Sequence, residues 1–305
     1  MSQDLAVPVF EYKTLSRSQI ETRVQGCARL PSLRSIESAL RELLNADQRY
    51  TAQISEVIRR DPSLTARLLR LVNSVYYGLT TPVNSIEEAV FYLGVRQIRQ
   101  LSMVTPIIED FQKLAGKAQF PWRPFWQHCI ATAILTREVG NVIGQVTDEA
   151  DYVAGLIHDV GKIVMASAFP EAFAEIYRRV KQEGGNRRAI ELEVLGMDHT
   201  ELGAIYLEHH HLPRVMVITS KYHHNPEAAP EYANIVASVQ IADLLVRHAG
   251  IGDSGTNEPV AEADWLNASG WNILFPGSAK TERSIARAAL QRSLDRLPTI
   301  LEGLV

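Results

Sequence analysis

The spacing of apolar residues constrains this chain more than any other feature. They return at intervals of three and four along most of its length, and no stretch gives the convincing alternation of a half-buried strand. Ile36, Ala39, Leu40, Leu43 and Leu44 trace one helical face, ended by Asn45-Ala46-Asp47. Ile54, Val57 and Ile58 belong to a second helix. Asp61-Pro62 stops it and supplies the N-cap and first position of a third, with Leu64, Leu68, Leu69, Val72 and Val75. Ser85 and Glu88 form a capping box before Ile86, Ala89, Val90 and Leu93; Gly94 is the stop, and another helix is expected over 95–112. A break from Leu114 to Pro124, with two prolines, Gly116 and aromatic residues, marks a candidate boundary. Beyond it the pattern predicts helices over 124–143, 148–160, 169–183, 187–195, 199–210, 213–223 and 232–248. The expected fold is an all-α multi-helix bundle.

The flanks read differently. Residues 1–26 lack clear periodicity and are taken as a lead-in, whereas 249–280, rich in Gly, Asn, Ser and Pro, is an expected ordered loop anchored by Trp265, Trp271 and Phe275. Ile285, Leu290, Leu294, Leu297 and Leu301 define a closing amphipathic helix, which either covers a site as a lid or packs beside it.

Length and composition narrow the class. The 305 residues, 46% of them hydrophobic, suffice for a large core, and a formal charge of -4 provides no basic field to draw in nucleic acid. Arg59, Arg60, Arg67 and Arg70 alternate with apolar residues and fit the wet faces of amphipathic helices. Only Cys27 and Cys129 are present, in no metal or disulfide pattern, and no run reaches the roughly 18 apolar residues of a membrane helix. A cytoplasmic location, without membrane insertion or secretion, is expected.

Candidate chemistry lies in the histidines. Eight of nine fall between residues 128 and 224. His158-Asp159 follows Val153, Ala154, Leu156 and Ile157, with Gly161-Lys162 just beyond; a carboxylate in such company needs compensating charge, which a metal supplies. His128 shares a helix with Phe125, Trp126, Ile130 and Ile134 and should face inward. His199 opens a helix behind Asp198, with Glu201 completing an Asp-x-x-Glu cap; His223-His224 end another; Asp243 interrupts an apolar helix.

Each of these has a plainer reading. A single histidine is more often a core residue or a helix cap than a ligand, and His209, His210, His211 and His248 are assigned to helix ends. Lys162 could be a solvated lysine after a helix stop, and Asp159 and Asp243 buried acids hydrogen-bonded to backbone or histidine. Taken together, two buried acids and at least four inward histidines on five helices have one common explanation in a metal site.

The order His, His-Asp, His, His-His, Asp on successive helices resembles the HD superfamily of metal-dependent phosphohydrolases. Leu30-Pro31-Ser32-Leu33, Asp61-Pro62-Ser63-Leu64-Thr65, Leu68-Leu69-Arg70-Leu71-Val72-Asn73-Ser74 and Ala89-Val90-Phe91-Tyr92-Leu93-Gly94 resemble, more narrowly, the HDOD family, bacterial signalling modules related to HD-GYP proteins. The likeness runs from about 28 to 248. It implies one continuous module over 27–248, in which an N-terminal helical group (27–113) packs on an HD-type core (124–248), with 249–305 packed against it. It further implies metal ligation by His128, His158, Asp159, His199, His223, His224 and Asp243, with Lys162 as the lysine that follows the His-Asp pair. Asn225-Pro226-Glu227 stands where relatives carry Gly-Tyr-Pro, and Pro124 where three-metal relatives place a glutamate. A two-metal site is therefore expected, with Fe or Mn favoured by mixed His and carboxylate ligation.

Two functions follow from the resemblance. One is a regulatory module in signal transduction that binds a protein partner and retains its metal site. The other is a two-metal phosphohydrolase acting on a nucleotide, a cyclic nucleotide or another phosphoester, with Asp159 and Lys162 as its catalytic residues.

Overall fold

The computed structural model describes residues 15–28, 120–144, 150–253, 255, 259–277 and 280–302, with short pieces between 69 and 114. All regular structure among the described residues is helical. The expected helices between 36 and 112 lie largely outside them, as do most of the HDOD-like strings and Arg59, Arg60, Arg67 and Arg70. The capping box at Ser85 falls inside: Ser85 Oγ accepts from the Glu88 backbone N–H at 3.1 Å as residues 86–89 turn into a helix.

In chain order the described helices are α1 (Arg17–Gln25), α2 (Trp122–Val142), α3 (Ala150–Ile157), α4 (Val160–Ala168), α5 (Pro170–Glu183), α6 (Arg187–Leu195), α7 (His199–His209), α8 (Arg214–Tyr222), α9 (Ala233–His248), α10 (Glu262–Leu266), α11 (Gly270–Leu274) and α12 (Lys280–Glu302). Helices α2, α3, α4, α7, α8 and α9 enclose the core, and α12 packs along α2. Between α2 and α3 the buried pair Arg137–Asp151, at 2.7 Å, ties the two helices together. No single helix among the described residues is long and apolar enough to cross a membrane.

Three expectations are corrected. Residues 17–25 of the supposed lead-in form α1, opened by a full capping box in which Ser16 and Gln19 bond each other's backbone N–H groups. Its apolar signal was short because only Ile20 and Val24 are buried. The stretch 249–280 contains two short helices, α10 and α11, which bury Trp265 and Trp271 as expected of anchors, and Trp271 Nε1 donates to the Trp265 carbonyl at 2.7 Å.

The third correction bears on the site. The helix expected over 148–160 ends as α3 at Ile157, His158-Asp159 form a turn, and Gly161-Lys162 lie in the first turn of α4, a helix over Val160–Ala168 that was not expected. Gly161 serves helix packing. A Cβ there would collide with the His199 carbonyl oxygen, and it would come within 2.8 Å of the Gly203 nitrogen. Only glycine lets α4 and α7 approach this closely.

A candidate metal centre at the bend between α3 and α4

The bend carries His158 and Asp159 into the interior, each 1% exposed. Around them the bundle brings His128 from α2, His199 from the first position of α7, His223 and His224 from the end of α8, and Asp243 from the middle of α9. All seven residues proposed as ligands converge. His128 Nε2 lies 3.1 Å from Asp243 Oδ1, 3.4 Å from His158 Nε2 and 3.8 Å from Asp159 Oδ2. His158 Nε2 is 3.5 Å from the same Asp159 oxygen. On the other side, Asp159 Oδ1 stands 3.3 Å from His199 Nε2 and 3.7 Å from His223 Nε2, while His224 Nε2 is 3.2 Å from His199 Nε2. The donors form two groups able to hold a metal ion, His128–His158–Asp159 and His199–His223–His224, and Asp159 faces both.

The outer nitrogens explain the ring orientations. His158 Nδ1 lies 2.7 Å from the Gly155 carbonyl oxygen, His223 Nδ1 2.9 Å from that of Ser220, and His199 Nδ1 2.6 Å from Glu191 Oε2. Each partner is an acceptor, so each Nδ1 must carry the proton, and in the neutral ring Nε2 is left with its lone pair turned inward. Three imidazoles held in this way are prepared for a cation. Two inner atoms reinforce the point: Asp159 Oδ1 and His223 Nε2 are buried and make no well-formed hydrogen bond. The donor set, nitrogen and carboxylate oxygen without thiolate, suits a divalent transition ion.

The electrostatics fit the same arrangement. Burial opposes ionisation of Asp159, but the Lys162 ammonium and the nearby imidazoles outweigh it and hold the carboxyl well below its usual range. Burial likewise opposes ionisation of Asp243, and the contact with His128 and the charge of Arg247 keep it ionised. Burial lowers His158, and it brings His223 down to about 3 with help from the neighbouring His158. His224 is lowered well below its usual value by burial and then by His223. His199 goes the other way, because Glu191 outweighs its burial.

Lys162 is not solvated. It is 3% exposed, its ammonium donates to Asp159 Oδ2, and it lines a cleft with Phe120, Phe125, Phe173 and Tyr177. Asp198 caps α7, its Oδ1 accepting from the backbone N–H groups of Thr200 at 3.0 Å and Glu201 at 3.1 Å. Glu201, expected to complete that cap, instead faces Arg17 of α1 at 3.5 Å.

The remaining histidines stay outside the site. The His210 ring packs on Tyr206, with Nε2 3.2 Å from the Cys27 carbonyl oxygen, and His248 Nδ1 donates to the Val260 carbonyl. Glu191 was missed from sequence, although its signal was present. It is an acid on the buried stripe of Ile190, Val194 and Leu195, the same anomaly that singled out Asp243.

Comparison with known proteins identifies the family and the fold. The family model described as HDOD domain matches residues 30–226. An uncharacterized protein of Treponema pallidum (strain Nichols) is 26% identical over 255 residues, 78% of this chain and 49% of its own, so the chain spans about half the length of that relative. Among solved structures, an HDOD domain protein with unknown function from Geobacter sulfurreducens superposes with a TM-score of 0.77 at 25% identity, covering 95% of this chain and 99% of that one. A Shewanella amazonensis SB2B protein named "Putative phosphohydrolase" gives 0.65 at 23% identity, covering 94% and 98%. A second protein of that strain, named "Putative metal-dependent phosphohydrolase", gives 0.54 at 14%, covering 93% and 96%. At these identities the two Shewanella structures show a shared fold. With the family model spanning well over half of its length, this chain belongs to the HDOD domain family.

Proposed function

We propose that this protein is a signal-transduction module of the HDOD type that retains a divalent metal centre and acts through a protein partner. One observation carries the metal reading: His158, His199 and His223 each have Nδ1 committed to an acceptor, and each turns Nε2 toward Asp159. Two ions would be held, one by His128, His158 and Asp243, the other by His199, His223 and His224, with Asp159 between them. Fe or Mn is favoured by the donor set. Pro124 has no side-chain donor and could not serve a third ion.

A second reading, a phosphohydrolase acting on a nucleotide or other phosphoester, is favoured by the placement of Lys162. Bound divalent ions would supply Lewis-acid chemistry and lower the pKa of water. Lys162 holds a buried positive charge between Asp159 and the aromatic cleft, where it can stabilise phosphoryl oxygens. Asp159 would orient both the cations and the lysine.

Elemental analysis of protein purified without added metal tests the first reading: close to two transition ions per chain are expected, and a trace amount overturns it. Turnover of nucleotide, cyclic dinucleotide and generic phosphodiester substrates tests the second. Metal-loaded protein with no turnover that Asp159→Ala abolishes leaves the regulatory module.

A further inference from the structure

We propose that Glu191 is the positioning residue of this centre: it fixes the orientation and tautomer of His199, and Arg187 locks it in place while tying it to the segment that follows α9. The inference rests on the metal reading above for its consequence, but its geometry stands apart from any ion.

Glu191 is fully buried and uses both carboxylate oxygens. Oε2 accepts from His199 twice, from the backbone N–H at 2.9 Å and from Nδ1 at 2.6 Å. Ring and backbone of the same residue are therefore fastened to one atom, which holds the first residue of α7 and sets which way its imidazole faces. Oε1 accepts from Arg187 Nε at 2.7 Å, one turn earlier on α6. Arg187 is itself 2% exposed, and its Nη1 donates to the Gly255 carbonyl oxygen at 2.6 Å. Gly255 has φ +77°, and a Cβ there would run into the Arg187 guanidinium. The chain Gly255–Arg187–Glu191–His199 thus joins four residues by charge-assisted hydrogen bonds.

The arrangement goes beyond stability. A neutral imidazole has two tautomers, and only the one protonated at Nδ1 offers Nε2 as a ligand. His158 and His223 are held by backbone carbonyls, which accept from Nδ1 without charge. His199 alone among these three is held by a carboxylate, which orients the ring more strongly and raises the basicity of the ligating nitrogen. It is also the ligand nearest Asp159 Oδ1, so its placement sets the separation of the two donor groups.

Glu191→Gln preserves size and burial, and Arg187→Met removes the lock while keeping Glu191. Histidine nitrogen NMR of metal-free wild type, at a pH where the ring is neutral, should show His199 protonated at Nδ1, with a hydrogen-bonded proton shifted far downfield. Glu191→Gln should lose that shift while its circular dichroism spectrum stays that of the wild type. In chelator competition, divalent-ion affinity should fall 10–100-fold in Glu191→Gln and less in Arg187→Met. A wild-type His199 protonated at Nε2, or a downfield proton that survives Glu191→Gln, overturns the inference even if the wild type binds no metal. Wild-type affinity in Glu191→Gln overturns it while leaving the metal reading intact.

Discussion

Asp159 Oδ1 stands 3.3 Å from His199 Nε2 while Asp159 Oδ2 takes the Lys162 ammonium, so one carboxylate at a helix bend joins both halves of the histidine cluster. Replacing it with alanine should abolish retention of both ions, measured as metal per chain after gel filtration. It should also destabilise the metal-free protein by about 3–5 kcal/mol, because Lys162 would remain buried without its counter-charge. Urea unfolding of the apo form reads that cost separately from the metal.

The two donor groups should be separable. His128→Ala is expected to leave about one ion per chain by removing a ligand from the side that includes Asp243, and His224→Ala to do the same on the side that includes His199. Elemental analysis of the single and double variants checks this: stepwise loss supports two sites, and complete loss in either single variant indicates one shared site.

Gly161→Ala should destabilise the fold by about 3 kcal/mol, since a Cβ would force α4 away from the His199 backbone. A folded but looser variant would also move His199 relative to Asp159. Thermal melts and metal content should therefore fall together.

Asp198→Ala should cost about 1 kcal/mol through loss of the α7 cap. The contribution depends on pH. Burial opposes the Asp198 charge, but His199, Thr200 and Arg188 outweigh it and lower its pKa from the ordinary 3.8. A carboxyl depressed in the folded state stabilises fully above its unfolded value and loses that stabilisation as pH falls toward the folded one. The difference in urea midpoint between wild type and variant should be constant near neutral pH and shrink below about pH 4.

Much of this protein was legible before its structure. Helices α2 and α5 to α9 lie within a few residues of where periodicity and capping put them, because amphipathic spacing and Asp, Asn, Gly and Pro punctuation act locally. The metal-site candidates were legible for a related reason: His158, Asp159, His128 and Asp243 are polar residues at positions where the pattern demands apolar ones. What the sequence by itself determined was which residues had to be buried and therefore needed partners.

The tertiary structure decided what those partners are. Glu191 sits eight residues from His199, across the turn between α6 and α7, and only the packing of those helices puts its carboxylate on His199 Nδ1. Helix α4 was equally out of reach, because Gly161-Lys162 read locally as the residues after a helix stop. Its meaning comes from the α7 backbone pressed against it. Local preferences fix where helices form, whereas the distance between two side chains on different helices follows from how closely those helices can approach.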